Sequence, residues 1–125
     1  MGYTVYKHTF PNGKVYIGMT SINPNARWNN GNGYKGKLIS KAISEFGWDN
    51  VKHDVLYSEL TEENAKQIEI LLINKYKSND KRFGYNATKG GEVVSDNTKK
   101  RLVNLYPVRI IIITERLFQK NTKKK

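Results

Sequence analysis

The segment that most restricts the fold is Phe10-Pro11-Asn12-Gly13-Lys14. It lies between two runs of β-branched and aromatic residues, Tyr3-Thr4-Val5-Tyr6-Lys7 and Lys14-Val15-Tyr16-Ile17-Gly18-Met19-Thr20, and such runs read as strands. Pro11 is preset for the first central position of a type I turn, Asn12 suits the second, and Gly13 can take the left-handed position that follows. This is the three-residue hairpin loop closed by a glycine bulge. Loop length sets register: with Phe10 opposite Lys14, Tyr6 pairs with Gly18 and His8 with Tyr16. Tyr6 and Tyr16 then leave the sheet from one face, on a diagonal. Val5, Val15, Ile17 and Met19 take the other, which becomes the core face. A two-residue Asn-Gly loop is the alternative and would put the tyrosines on opposite faces, because a one-residue slip inverts a strand. The proline favours the longer loop.

Residues 21–36 read as a loop in which Arg27, Trp28, Tyr34 and Lys35 stand out among Asn29-Asn30-Gly31-Asn32-Gly33. Over 37–46, Leu38, Ile39, Ala42, Ile43 and Phe46 follow a helical period, with Gly47 as C-cap. Residues 51–57 read as a third strand. Thr61 can cap a helix running to about Lys77, with Glu62 and Glu63 at the positive end of its dipole. Ala65, Ile68, Leu72, Ile73 and Tyr76 form its apolar stripe. Residues 79–91 return to loop.

At 125 residues the chain suits one compact domain plus a short appendage. It has no cysteine, which excludes disulfides and thiolate-zinc sites. Its longest apolar run, Ile110 to Ile113, is far short of the ~20 residues of a membrane span. Met1-Gly2-Tyr3-Thr4 lacks the basic start and apolar stretch of a signal peptide, so the expectation is a cytoplasmic protein with no membrane partner. The net charge of +11 is uneven: residues 1–92 carry 13 basic and 9 acidic side chains, residues 93–125 carry 9 and 2. A polyanion such as nucleic acid fits that tail, with strongly salt-dependent binding; a solubilising tail is the plainer alternative. There is no phosphate-binding Gly-Lys-Ser/Thr loop and no nucleophile elbow, so NTP hydrolysis and acyl transfer have no support.

Glu69 is the sharpest anomaly. At about 100° per residue, Ala65 and Ile73 lie about 40° to either side of it, which puts a carboxylate inside the apolar stripe. A buried carboxylate is costly unless it is paired or binds a metal. An ion pair with Arg27 or a lysine explains it as well as a metal does. Tyr6 and Tyr16 on a strand could be packing residues, or could pass a proton to or from water beside a cation. Arg27 could stabilise charge on a phosphate through its planar donors, or simply be solvated. His8 and His53 have no partner at metal spacing and read as structural.

Thr4-Val5-Tyr6, Tyr16-Ile17-Gly18, Arg27, Glu69 and Asn86, in that order, resemble the GIY-YIG nuclease family; Thr-Val-Tyr stands in for Gly-Ile-Tyr. Arg27-Trp28, Lys41-Ala42-Ile43, Phe46-Gly47-Trp48 and Gly84 through Gly91 resemble its phage and intron-encoded homing branch. The likeness covers roughly residues 2–92. It implies an α+β fold, a three-stranded antiparallel sheet flanked by helices, and hydrolysis of a DNA phosphodiester with one divalent metal, Mg²⁺ or Mn²⁺. Glu69 would be the metal ligand. Tyr6 would take a proton from the attacking water or orient it, Tyr16 would assist, Arg27 would hold the scissile phosphate and Asn86 would support the site by hydrogen bonds. Many relatives carry a histidine or tyrosine one helical turn after the arginine. Gly31 stands there in this chain, and Tyr34 is the nearest substitute.

The resemblance divides the chain into a nuclease domain, 1–92, and a basic tail, 93–125. Ser95 to Leu102 resembles the start of a small DNA-binding repeat; the likeness stops after Leu105, as a truncated or frame-shifted targeting region would. The expected partner is double-stranded DNA, met by a monomer or a transient dimer. A DNA-binding module that has kept the fold and lost cleavage is the alternative.

Overall fold

The computed structural model describes residues 2–88 and 93–106. β1 (Tyr3–Thr9) and β2 (Val15–Thr20) are followed by α1 (Pro24–Trp28), a 3-10 segment (Asn29–Tyr34), α2 (Leu38–Phe46), a 3-10 turn (Trp48–Asn50), β3 (Lys52–Leu60), α3 (Glu62–Tyr76) and α4 (Asp96–Leu105). The strands form one antiparallel sheet in the order β2-β1-β3, the expected α+β arrangement. The strand that carries Tyr6 and His8 is therefore central.

The hairpin has the three-residue register: Tyr6 lies opposite Gly18 and His8 opposite Tyr16. The Phe10 N–H donates to the Lys14 carbonyl at 2.9 Å, the Gly13 N–H to the Phe10 carbonyl at 2.8 Å, and Gly13 sits at φ 89°. Only a residue tolerant of positive φ closes this loop without strain. α3 begins where the Thr61 side chain accepts from the Asn64 N–H and ends at a left-handed Lys77. Gly47 closes α2. β3 runs on to Leu60, past the expected end at residue 57.

One face of the sheet packs Val5, Ile17, Tyr57 and Leu60 against Ala65, Ile68, Leu71 and Leu72 of α3, with Val94, just before α4, and Leu102 of α4 joining the same cluster. Each buried Val, Leu or Ile side chain here contributes about 1.5–3 kcal/mol. The opposite face carries a second cluster, Tyr6, Phe10, Trp28, Tyr34, Ile39, Ala42 and Val51.

That second cluster corrects two expectations. Residues 21–36 are not a loop, and the tyrosine face is not left outside the core. α1 is too short for periodicity to reveal, but its ends are well specified: the Asn23 side chain accepts from the Asn25 N–H and Pro24 takes the first helical position. α1, the 3-10 segment and α2 fold over the sheet and bury that face. The expectations for residues 107–125, including Ile110 to Ile113 and the break in likeness after Leu105, lie outside the described residues. No described helix is long and apolar enough to cross a membrane.

Candidate active site

Tyr6 and Tyr16 project from the second face of the sheet. Tyr6 is 1% exposed and Tyr16 partly buried. The Tyr6 ring lies across the backbone of β2 at Gly18: a Cβ there would stand 2.6 Å from its hydroxyl oxygen and 2.5 Å from its Cζ. The glycine of Tyr16-Ile17-Gly18 is thus the gap through which the opposite tyrosine reaches the site. The pairing of Tyr6 with Gly18 was legible in the hairpin register; its steric purpose was not.

Arg27 and Tyr34 arrive together. At the end of α1 the backbone turns left-handed at Asn29 (φ 46°), Asn30 (φ 55°) and Gly31 (φ 92°). This tight reversal returns the chain to Arg27, whose Nη1 donates to the Gly33 carbonyl at 2.7 Å. The guanidinium lies over the Tyr34 ring, 4.7 Å from its centroid. The Tyr34 hydroxyl is 3.0 Å from that of Tyr6 and 2.8 Å from His8 Nε2. The Asn-Gly-rich stretch thus brings Tyr34 beside Tyr6 despite the longer interval after the arginine.

Asn86 acts through the backbone of β2. Its Oδ1 accepts from the Ile17 N–H at 2.9 Å and from the Ser78 hydroxyl at 2.7 Å, and its Nδ2 donates to the Ile17 carbonyl at 2.8 Å. It fixes the strand between Tyr16 and Gly18. Glu69, on α3, is half-buried rather than sunk in the core, so its place on the apolar stripe overstates its depth. Its charge still reaches both Tyr6 and Tyr16.

Burial raises the pKa of Tyr6, with Glu69 adding to the rise; the neighbouring Tyr34 hydroxyl and Arg27 oppose it. Burial likewise pushes Tyr16 up to about 12, helped by Tyr6 and Glu69 and resisted by Arg27. Tyr34 is raised by burial and by the two other tyrosines. These phenols stay neutral at ordinary pH, around one arginine and one carboxylate. The buried Trp28 Nε1–H has no partner at normal hydrogen-bond geometry. It lies near enough to the Tyr6 oxygen to favour its charged form.

Among the described residues no group of three or more His, Asp or Glu could enclose a metal. One half-buried carboxylate suits Mg²⁺, which keeps much of its water and takes one or two carboxylates together with substrate phosphate oxygens. A donor set of this kind fits a divalent ion that keeps much of its water. Sequence reasoning set His8 aside. Yet His8 is fully buried in this cluster, between Tyr6, Trp28, Tyr34 and Trp48. The strand alternation that pairs it with Tyr6 on one face was the available signal.

Residues 2–86 match the model of the GIY-YIG catalytic domain. The chain is also 36% identical over 78 residues to the "Putative endonuclease segD" of Enterobacteria phage T4, a stretch covering 60% of this chain and 33% of that protein. The chain thus spans about a third of the length of the curated relative it matches. No solved structure matches it. With Tyr6 and Tyr16 on one face of the sheet, Arg27 and Tyr34 packed over that face, Asn86 bonded to the edge of β2 at Ile17 and Glu69 within electrostatic reach, and with the domain model aligned from residue 2 to 86, the chain belongs to the GIY-YIG catalytic domain family.

Proposed function

We propose that the chain is a divalent-metal-dependent DNA endonuclease of the homing type, hydrolysing phosphodiester bonds at Tyr6, Tyr16, Arg27, Tyr34 and Glu69. The observation that carries this is the placing of one arginine and one carboxylate around the same pair of buried phenols, in a chain of this family. Glu69 would hold a Mg²⁺ or Mn²⁺ ion, which when bound supplies positive charge for the leaving oxygen. Arg27 has one donor engaged with Gly33 and a planar fork of others to hold a phosphate and stabilise the charge that develops. Tyr6 accepts a proton from the attacking water, and Tyr16 orients that water from the same face.

The substrate on this reading is double-stranded DNA, in keeping with a net charge of +11, met by a monomer or a transient dimer in the cytoplasm. Residues 1–92 are the nuclease domain and residues 93–125 a basic extension that begins a DNA-binding repeat. Plasmid nicking tests the reading. Cleavage with Mg²⁺ or Mn²⁺ should stop with EDTA, with Glu69→Ala and with Tyr6→Phe. DNA binding by the unaltered chain without nicking under either metal would overturn it in favour of a non-catalytic module.

A further inference from the structure

Tyr6 poses a problem as a proton acceptor. A buried phenol whose pKa is raised offers almost no phenolate at neutral pH. It can accept a proton only by releasing its own in the same motion. Its oxygen leads inward to a chain of three contacts: Tyr6 Oη to Tyr34 Oη, 3.0 Å; Tyr34 Oη to His8 Nε2, 2.8 Å; and His8 Nδ1 to His53 Nδ1, 2.9 Å. His53 Nε2 then faces the Trp48 carbonyl at 3.3 Å.

Hydroxyl and ring protons can be placed in either direction along such a chain. At rest the Tyr34 hydroxyl donates to the Tyr6 oxygen; with both hydroxyls turned, the opposite direction satisfies every member: Tyr6 donates to Tyr34, Tyr34 to His8 Nε2, His8 Nδ1–H to His53 Nδ1, and His53 Nε2–H to the Trp48 carbonyl. In that arrangement His53 is the one member of the chain that is both basic and partly open to solvent, since it is half-buried while Tyr34 and His8 are fully buried.

We propose that Tyr6, Tyr34, His8 and His53 form a proton relay that lets neutral Tyr6 act as the base and delivers the water's proton charge to His53 at the edge of the fold. The proposal rests on the nuclease reading above. In the step, water gives a proton to the Tyr6 oxygen as the Tyr6 proton moves to Tyr34, the Tyr34 proton to His8 Nε2, and the His8 Nδ1 proton to His53 Nδ1. Hydroxide attacks the phosphate, no phenolate forms, and one positive charge appears on His53 and passes to solvent. The chain resets by the reverse passage after product leaves, with a proton re-entering at His53. His8 and His53 touch neither substrate nor reacting atoms, so they are positioning residues that act through Tyr6.

The surroundings of the two histidines favour passage over storage. His8 faces Arg27, His53 and the three site tyrosines, and burial together with the charges of His53 and Arg27 drives its pKa down to about 3. It cannot hold the proton and must hand it on. His53 is lowered less decisively: burial depresses it, while the Trp48 carbonyl, Asp54 and Asp49 favour its charged form. Its ring stacks on Trp48 with centroids 3.9 Å apart, which keeps Nδ1 aimed at His8.

His53→Phe keeps that stack and removes both nitrogens. The assay is single-turnover plasmid nicking across pH, with DNA binding and melting measured on the same variant. The variant should bind DNA as the unaltered chain does and nick about 10²-fold more slowly. It should also lose the fall in rate that His53 protonation imposes on the unaltered chain below the usual histidine range. A proton inventory on the unaltered chain in H₂O/D₂O mixtures needs no variant: a curved dependence is expected from several protons in flight. A linear inventory, or a folded His53→Phe with undiminished nicking and the same acid limb, overturns the relay. If the unaltered chain does not nick at all, or nicks after Tyr6→Phe, the nuclease reading itself fails, which is a separate result.

Discussion

Gly18→Ala tests the claim that the glycine of the second motif exists for the tyrosine of the first. The added methyl would stand 2.5–2.7 Å from Cζ, Oη and Cε1 of Tyr6, against 3.4–4 Å for an ordinary contact. Relief requires a shift of about 1 Å, and both parties are confined, since Tyr6 is buried among Trp28, Tyr34 and His8 and Gly18 lies in the hairpin ladder. Overpacking of this kind costs about 1–3 kcal/mol. The activity cost is larger in proportion, because a displacement near 1 Å at a reacting group costs on the order of 10²-fold in rate. The assay is nicking by Gly18→Ala, with melting measured on it alone and in a Tyr6→Phe background. Alone it should cut nicking about 10²-fold. Because Tyr6→Phe alone stops nicking, the double variant is read by melting, where the Gly18→Ala penalty should persist because the Cζ contact remains. A Gly18→Ala protein with full nicking and unchanged melting would refute the reasoning.

Asn86→Ala should destabilise the chain by about 1–3 kcal/mol, by stranding the Ile17 N–H and carbonyl in a buried setting; denaturant midpoints measure it, and Asn86→Asp should not restore it, since it cannot donate to the Ile17 carbonyl. Acid should weaken the fold through His8: its folded pKa of about 3 lies below the unfolded value near 6.5, so the unfolded state takes up a proton first and stability declines as pH falls from about 6.5 toward 3. Denaturation at pH 7 and pH 5 should reveal that decline, and a folded His8→Gln variant should show less of it; an equal decline in both would refute the assignment.

What could be read in the sequence was what short-range chemistry decides. Pro11, Asn12 and Gly13 specify a loop, the loop specifies a register, and the register places Tyr6 and Tyr16 on one face. Thr61 and its following glutamates specify where α3 begins. The segment after β2 was misread because α1 has five residues and the next turn is built from left-handed Asn29, Asn30 and Gly31, a geometry without hydrophobic period. The second apolar cluster was missed with it, since a sheet face reads as outward until something is known to cover it. His8 and His53 come from β1 and β3, which pair only through long-range contacts, so nothing local announces that they meet.

The segment around Gly84 to Asn86 bears on where a working fragment can stop. β2 is an outer strand, and its free side is met by Gly84 in a parallel bridge to Val15, with the Tyr85 N–H donating to the Val15 carbonyl at 3.0 Å and Asn86 gripping Ile17. These three residues do for the sheet what a hem does for cloth. A polypeptide ending at residue 83 would leave a row of unpaired amides and carbonyls on the strand that carries Tyr16, an invitation to pair with the same edge of another copy. Residue 86 is therefore the earliest point at which the chain could be cut with the outer edge of β2 still covered.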